Sequence, residues 1–278
     1  MPLLLCTDLD RTLMPNGAAP ESPGARRRFA AVAARPGVRL VFVTGRDQTL
    51  VEQAIAEYEL PRPQFVIGDV GSSIFELQAG KWLRWSQWDA ELSRCWKSAT
   101  DQSLQDLLRD IRDITPQEPA KQGRFKSSYY AAPETDVDAL TRSILRRLDA
   151  QGLRSRVVWS LDDNAGIGLV DVLPEPASKL GAIRYLIAQL DQPASATLFA
   201  GDSGNDLSVL CSEIPAVLVA NATDAVRTLA VDECRRTHTE AFFYRARGGL
   251  LGMNGNYSAG ILEGLVHFHP DSLGWFDR

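Results

Sequence analysis

The chain has 278 residues, 45% of them hydrophobic, and a formal net charge of −5. That length supports one large domain, or a core domain with a smaller companion. The charge gives no general nucleic-acid footprint, although a local basic patch stays open, and no uninterrupted apolar run reaches membrane length.

The first residues run straight into PLLLCTDLD, without a basic leader, a long apolar segment or a small-residue cleavage site. No signal peptide is read, and a soluble, cytoplasmic protein is expected. Leu3 to Cys6 reads as a short buried parallel strand, because its apolar character is continuous. Residues 22–35, SPGARRRFAAVAAR, read as a helix with Ser22 near its start and Pro23 in the first turn. VRLVFVTGR is a second buried strand ending in a polar loop, and DQTLVEQAIAEYEL is helical by its spacing. QFVIGDVGSSIFEL reads as a strand, a glycine-bearing turn and another strand. This is the rhythm of a Rossmann-like α/β domain.

The rhythm changes near residue 82, where WLRWSQWDAELSRCWKS carries Trp82, Trp85, Trp88 and Trp96, read as apolar packing under a helix. DQSLQDLLRDI is a helix, Pro116 and Pro119 break the stretch after it, and RFKSSYYAA resembles a strand in which Tyr129 and Tyr130 point to opposite sides. VDALTRSILRRLDAQ is a helix and RSRVVWSL a further strand, after which Asp162 and Asp163 read as loop or hinge groups. The first rhythm returns with GLVDVLPEPASKLGAIRYLIAQL, then TLFAGDSGNDLSVL, the short strand AVLVANA and the helix DAVRTLA. The last part has a glycine-rich loop over 248–255, read as a surface turn, and a terminal helix. A parallel-sheet α/β core made of residues 1–84 and 166–278 is therefore expected, interrupted over 85–165 by a smaller α+β domain.

Cys6, Cys95, Cys211 and Cys234 show no close paired spacing and read as inert thiols in a reducing compartment. His238, His267 and His269 are too few and too badly spaced for a zinc site. The alternation of His267 and His269 suits one face of a strand or loop.

Asp8 and Asp10 stand one residue apart at the end of a buried strand, where ligands gather in open parallel sheets. Thr44 and Gly45 end the second strand and Asp202 a later one. A carboxylate pair in such a place repels and loses hydration, and a divalent cation resolves the conflict. Mg2+ takes oxygen ligands, among them carboxylates and phosphate oxygens. Asp8 and Asp202 are the candidate side-chain ligands, and the backbone carbonyl of Asp10 is a third. These parts suit phosphoryl transfer: Asp8 as nucleophile, Lys179 balancing charge near a helix start, and Thr44 with nearby N–H groups, Gly45 among them, donating to phosphate. The Asp10 carboxyl then serves proton transfer. Gly68, Gly71, Gly201 and Gly204 read as turn residues.

These motifs resemble those of the haloacid-dehalogenase superfamily of phosphatases. DLDRTL is similar to the first motif, at Asp8, Asp10 and Thr12; VFVTGR is similar to the second, with Thr44. Lys179 fits the third, and GDSGND the fourth, with Asp202 and Asp206. Within the superfamily, GDSGND, DVLPEPASK and RFKSSYY look most like the sucrose-phosphate phosphatases. The resemblance implies a core with a cap inserted between the second and third motifs, and Mg2+-dependent hydrolysis of a disaccharide phosphate, with sucrose 6-phosphate favoured. It also implies Asp206 beside the metal, Arg46 and Asn205 supporting phosphate and metal, and Lys126 and Ser128 of the cap touching sugar. A phosphorylated disaccharide is the expected partner, with a sugar-phosphate synthase as a candidate protein partner and neither nucleic acid nor membrane. The alternatives are a mannosylfructose-phosphate or glucosylglycerol-phosphate phosphatase, a sugar phosphomutase, and a sugar-phosphate binding protein without turnover.

Overall fold

A computed structural model describes residues 2–162 and 165–276. Asp163, expected to be a hinge group, lies outside the described residues.

Eight strands form the main sheet. β1 (Leu3–Thr7) lies between β2 (Val38–Val43) and β10 (Thr197–Gly201), and all three run parallel. β11 (Ala216–Leu218) and β12 (Phe243–Arg245) extend the sheet beyond β10, and β3 (Phe65–Gly68) extends it beyond β2, again in parallel. Strand alternation divides the apolar side chains into two layers. Leu3, Leu5 and Phe42 pack with Phe29, Val32, Ile55, Ile261 and Leu265, which belong to α1 (Ala25–Ala33), α2 (Gln48–Glu57) and α9 (Ser258–Phe268). Leu4, Cys6, Val41 and Phe199 face Ile183, Leu186, Leu210 and Ala230, carried by α6 (Lys179–Gln189), α7 (Leu207–Leu210) and α8 (Asp224–Thr237). Parallel strands buried on both faces need continuous apolar sequence, which these have.

Two antiparallel strands, β4 (Ser73–Gln78) and β5 (Lys81–Arg84), complete one edge. Ala79 and Gly80 both have positive φ, the two-residue turn that suits strand twist. β5 carries little sequence signal of its own, because KWLR is short and runs straight into α3 (Ser86–Trp96). Trp88 and Trp96 are buried on α3, as expected of packing residues. Trp88 donates from Nε1 to the Gly71 carbonyl at 3.1 Å and packs on Tyr185, tying α3 to the core.

The smaller domain is a four-stranded antiparallel sheet in the order β6 (Ile114–Pro116), β7 (Ser127–Ala131), β9 (Ile167–Pro174), β8 (Ser155–Asp162). One face, with Tyr129, Val170 and Val172, packs on Leu104, Leu108, Ile144 and Leu148 of α4 (Asp101–Leu108) and α5 (Val137–Ala150). The other face presents Ser128, Val158, Ser160, Leu169 and Asp171 to the main sheet's strand ends. Tyr129 and Tyr130 do divide, the first buried and the second half-exposed. Sheet membership differs from the expected division at residue 166: β9 pairs along its length with β7 and β8. Its alternation of Val170, Asp171 and Val172 is the mark of a strand with one wet face, not of a core strand.

Other local readings also shift. Gly24, with φ 76, is the N-cap of α1, while Ser22 Oγ accepts from the Asn254 N–H at 2.9 Å. His267 lies in α9 and stacks on Tyr244, so its alternation with His269 is not that of a strand. All four cysteines are free and buried, but α7 and α8 bring the Cys211 and Cys234 sulfurs to 2.9 Å. Among the described residues no helix is long and apolar enough to cross a membrane.

The turn after β3 is strained. Asp69, Val70 and Gly71 all have positive φ, which is costly for a β-branched residue. Gly71 seats this turn against the start of α6: a Cβ there would stand 2.2 Å from the Ser178 carbonyl carbon and 2.3 Å from its oxygen. Gly71→Ala should therefore destabilise the protein by about 3 kcal/mol or more, measured by urea unfolding. A change under about 1 kcal/mol would show that the turn relaxes freely.

Candidate active site

The strand ends of β1, β2 and β10 meet on one side of the sheet, and their polar residues meet with them. Asp8 follows β1 directly; its Oδ1 accepts from the Leu9 N–H at 2.7 Å. Asp202 follows β10, and Thr12 Oγ1 donates to its Oδ1 at 3.1 Å. Asp206 lies under the loop after β10, where its Oδ2 accepts from the N–H groups of Asp202 and Ser203, each at 3.0 Å. Gly201 makes that position possible, since a Cβ there would lie 2.5 Å from the Asp206 carboxyl carbon. One oxygen each from Asp8, Asp202 and Asp206 lies within 4.8 Å of the others, and all three residues are buried.

Lys179 enters this cluster from the first turn of α6, whose N-cap Ser178 accepts from the Gly181 N–H at 2.9 Å. Its Nζ stands 2.9 Å from Asp8 Oδ2 and 2.6 Å from Asp206 Oδ1. Burial alone would favour the neutral amine, but Asp206 and Asp8 outweigh it and hold the ammonium above its usual range. Burial raises the Asp8 carboxyl well above the usual carboxylate range; Lys179 opposes this, while Asp206 and Asp202 add to it. Burial, with Asp206 beside it, pushes Asp202 up to about 7, although Arg11 Nε lies 3.3 Å from its Oδ2. That Oδ2 is buried and accepts no hydrogen bond among the described residues. An underused buried oxygen within an all-oxygen donor set fits Mg2+, which Asp8, Asp202 and Asp206 would hold.

The Asp10 carboxylate turns away from this cluster. Arg46 grips it with two bonds, Nε to Oδ2 at 2.8 Å and Nη2 to Oδ1 at 2.7 Å, and Asn16 Nδ2 donates to Oδ1 at 2.8 Å. Burial works to raise this carboxyl, but Arg46 and Asn16 hold it below the usual range. Only the backbone carbonyl of Asp10 is therefore left for the metal role read from sequence. Thr44, fully buried after β2, uses its Oγ1 to accept from the Arg46 N–H at 3.2 Å.

Above these residues is a cavity of about 310 Å3, lined from the core by Asp8, Asp10, Gly45, Arg46, Asp202 and Asn205. Lys121, Lys126, Ser128 and Asp171 line it from the cap. Lys126 Nζ stands 3.5 Å from Asp69 Oδ1 in the strained turn. Ser128 Oγ donates to Asp171 Oδ1 at 2.5 Å. Burial raises the Asp171 carboxyl, with Lys126 and Ser128 pulling it back. Thr44, Lys179 and Asp206 lie beneath this surface, so the expected site residues form two tiers around one place. Sequence reasoning missed Arg11, Asn16, Asp69, Lys121 and Asp171. Asp69, in VIGDVG, carries the same signal as Asp8, a polar residue just past a buried strand. Asp171 is hidden because its role depends on which strand face looks at the core.

The sequence matches the sucrose-6F-phosphate phosphohydrolase family over residues 1–269. The chain belongs to this family. A HAD-like hydrolase of Nitrosococcus oceani is 48% identical over 275 residues, covering 99% of this chain and 74% of that one. Mannosylfructose-phosphate phosphatase of Agrobacterium fabrum is 28% identical over 274 residues, covering 95% and 96%. The sucrose-phosphatase of Synechocystis sp. PCC6803, solved in complex with sucrose and phosphate, superposes with a TM-score of 0.77 at 25% identity, covering 96% of this chain and 98% of that one. The family membership and the aspartate cluster make this sucrose-phosphate phosphatase relative a HAD-type phosphoric monoester hydrolase with a divalent-metal site.

An acid with a raised pKa holds a proton in the folded chain that the unfolded chain has released. Asp202 therefore makes metal-free protein less stable as pH rises from about 4 to about 7. Without metal, wild type should lose several degrees of Tm relative to Asp202→Asn between pH 5 and pH 8. Millimolar Mg2+ should reverse that loss in wild type and not in the variant. Parallel Tm profiles for the two proteins, with and without Mg2+, would remove Asp202 from the metal site.

Proposed function

We propose that this phosphatase hydrolyses sucrose 6-phosphate to sucrose and inorganic phosphate through an aspartyl-phosphate on Asp8, in the cytoplasm. The observation that carries the reading is Asp8 itself: a buried carboxylate at a strand end, flanked by Lys179 and open to a cavity whose opposite wall is a polar sheet face. The family match and the sucrose and phosphate bound to the Synechocystis enzyme support the choice of sugar.

In this reading Asp8 attacks phosphorus, and Lys179 offsets the charge that gathers on the three carboxylates. Thr44 and the N–H groups around Gly45 donate to phosphate oxygens. Mg2+, held by Asp8, Asp202, Asp206 and the Asp10 carbonyl, would neutralise charge on the transferring group. Arg46 suits two-pronged binding of phosphate as well as carboxylate, so an arriving phosphate competes with Asp10 for it. Relieved of that pair, Asp10 takes up a proton, delivers it to the departing sugar oxygen, and then removes one from the water that cleaves the intermediate. Asn205 steadies the loop between Asp202 and Asp206, accepting from Ser203 Oγ at 3.1 Å. Lys126 and Ser128 meet sugar hydroxyls from the cap, and a sugar-phosphate synthase supplies the substrate.

Phosphate release from sucrose 6-phosphate, mannosylfructose phosphate, glucosylglycerol phosphate and simple hexose phosphates tests the substrate. The highest kcat/KM should belong to sucrose 6-phosphate; equal weak rates across the panel would end the disaccharide reading. Asp8→Asn should lower kcat by about 10^4-fold or more while leaving Tm within a few degrees. Phosphate release near the wild-type rate would rule out the nucleophile. Lys126→Ala should raise KM for the preferred disaccharide phosphate about tenfold and leave p-nitrophenyl phosphate, which carries no sugar, unchanged. Equal effects on both esters would place Lys126 outside sugar recognition.

A further inference from the structure

The loop that leaves Asp10 is held from the far end of the chain. Residues 11–20 contain no regular element beyond a turn closed by Leu9; Leu13 and Met14 are buried in the core, and the rest of the loop is held by side-chain bonds. Within the loop, Asn16 Oδ1 accepts from the Arg11 N–H at 2.7 Å while Asn16 Nδ2 reaches Asp10. From outside come amides of the last core segment. Asn254 Nδ2 and Asn256 Nδ2 both donate to the Pro20 carbonyl, at 2.8 and 2.9 Å. Tyr257 donates from its hydroxyl to the Ala19 carbonyl at 3.0 Å, and a Cβ on Gly17 would come within 2.9 Å of that hydroxyl.

Asn221 sits at the centre of these bonds. It lies just beyond β11, in the same row of strand ends as Asp8 and Asp202. Its Nδ2 donates to the Arg11 carbonyl at 2.6 Å, and its Oδ1 accepts from the Tyr257 N–H at 2.8 Å. Tyr257 has a φ of 51, a strained backbone that the carboxamide helps to hold. Asn221 also lines a second cavity of about 880 Å3 that shares Asp10, Arg11 and Arg46 with the first.

We propose that Asn221 is a positioning residue for phosphoryl transfer: its carboxamide clamps the Arg11 carbonyl to the backbone of Tyr257 and so sets where Asp10 and Arg11 stand relative to Asp8 and Asp202. This rests on the reading of Asp8 and Asp10 as the reacting carboxylates. The residue next to Asp10 has its peptide fixed on the carbonyl side by Asn221 and on the N–H side by Asn16. Freeing the first lets Arg11 turn, and with it the guanidinium 3.3 Å from Asp202. A displacement of about 1 Å near reacting groups costs on the order of 100-fold in rate. Thr44 and the N–H groups around Gly45, read as donors to phosphate, lie on the separate segment after β2, and an arriving phosphate draws Arg46 away from Asp10, so the loss falls on turnover.

The test uses the full-length protein with Mg2+ and p-nitrophenyl phosphate. Asn221→Ala should lower kcat by about 10- to 100-fold with KM within about threefold of wild type. Amide exchange over residues 9–16 should quicken in the variant while the central strands keep their protection. Asn221→Asp, which keeps an acceptor for Tyr257 and loses the donor to Arg11, should behave like the alanine variant. A kcat within about twofold of wild type with unchanged exchange would overturn the proposal. So would a raised KM at unchanged kcat, which marks a substrate contact, or failure of both variants to fold, which marks a purely structural role. If wild type releases phosphate from no ester, the proposed function falls separately, and amide exchange still decides the role of Asn221.

Discussion

Three buried carboxylates are held close together around one ammonium, and most features of the site arise from that crowding. Each charge loses hydration on burial, at a cost of several kcal/mol per ion after relaxation. Lys179 offsets part of this by standing between Asp8 and Asp206. Backbone N–H groups offset more at Asp206, and Gly201 leaves the room for it. Burial raises both Asp8 and Asp202, and the Asp202 Oδ2 accepts no hydrogen bond among the described residues. A surplus of buried negative charge of this kind attracts a divalent cation, and with it the dianionic group of a phosphate ester.

Work is divided between the two sheets. The main sheet supplies the groups that would react, each at the end of a strand buried on both faces. The small sheet turns one face to its own helices and the other to the cavity, so its alternation serves stability and recognition together. Lys126 and Asp69 join the two across the cavity, and Asp69 belongs to the strained turn that Gly71 seats against the start of α6. The turn that meets the cap is thus braced against the helix that carries Lys179.

Much of this is legible in the sequence. The rhythm of apolar runs and amphipathic stretches predicts the parallel core, and strand ends at Asp8, Thr44 and Asp202 predict where its chemistry gathers. The insert was legible as a change of rhythm after Trp82. Its far limit was not, because GLVDVLP can read as a returning core strand until its pairing with β7 and β8 is seen. Short strands such as KWLR and the three residues of β6 and β12 carry too little periodicity to stand out.

By itself the sequence determined the chemistry that this protein carries, because a buried strand, the turn after it and the carboxylate in that turn are neighbours along the chain. Only the tertiary structure decided the partners: Arg46 on Asp10, Lys179 between Asp8 and Asp206, Ser128 on Asp171, and Asn221 on Arg11 across 210 residues. Those bonds depend on how strands and loops pack against one another. No local pattern encodes which of several polar side chains will be left facing which.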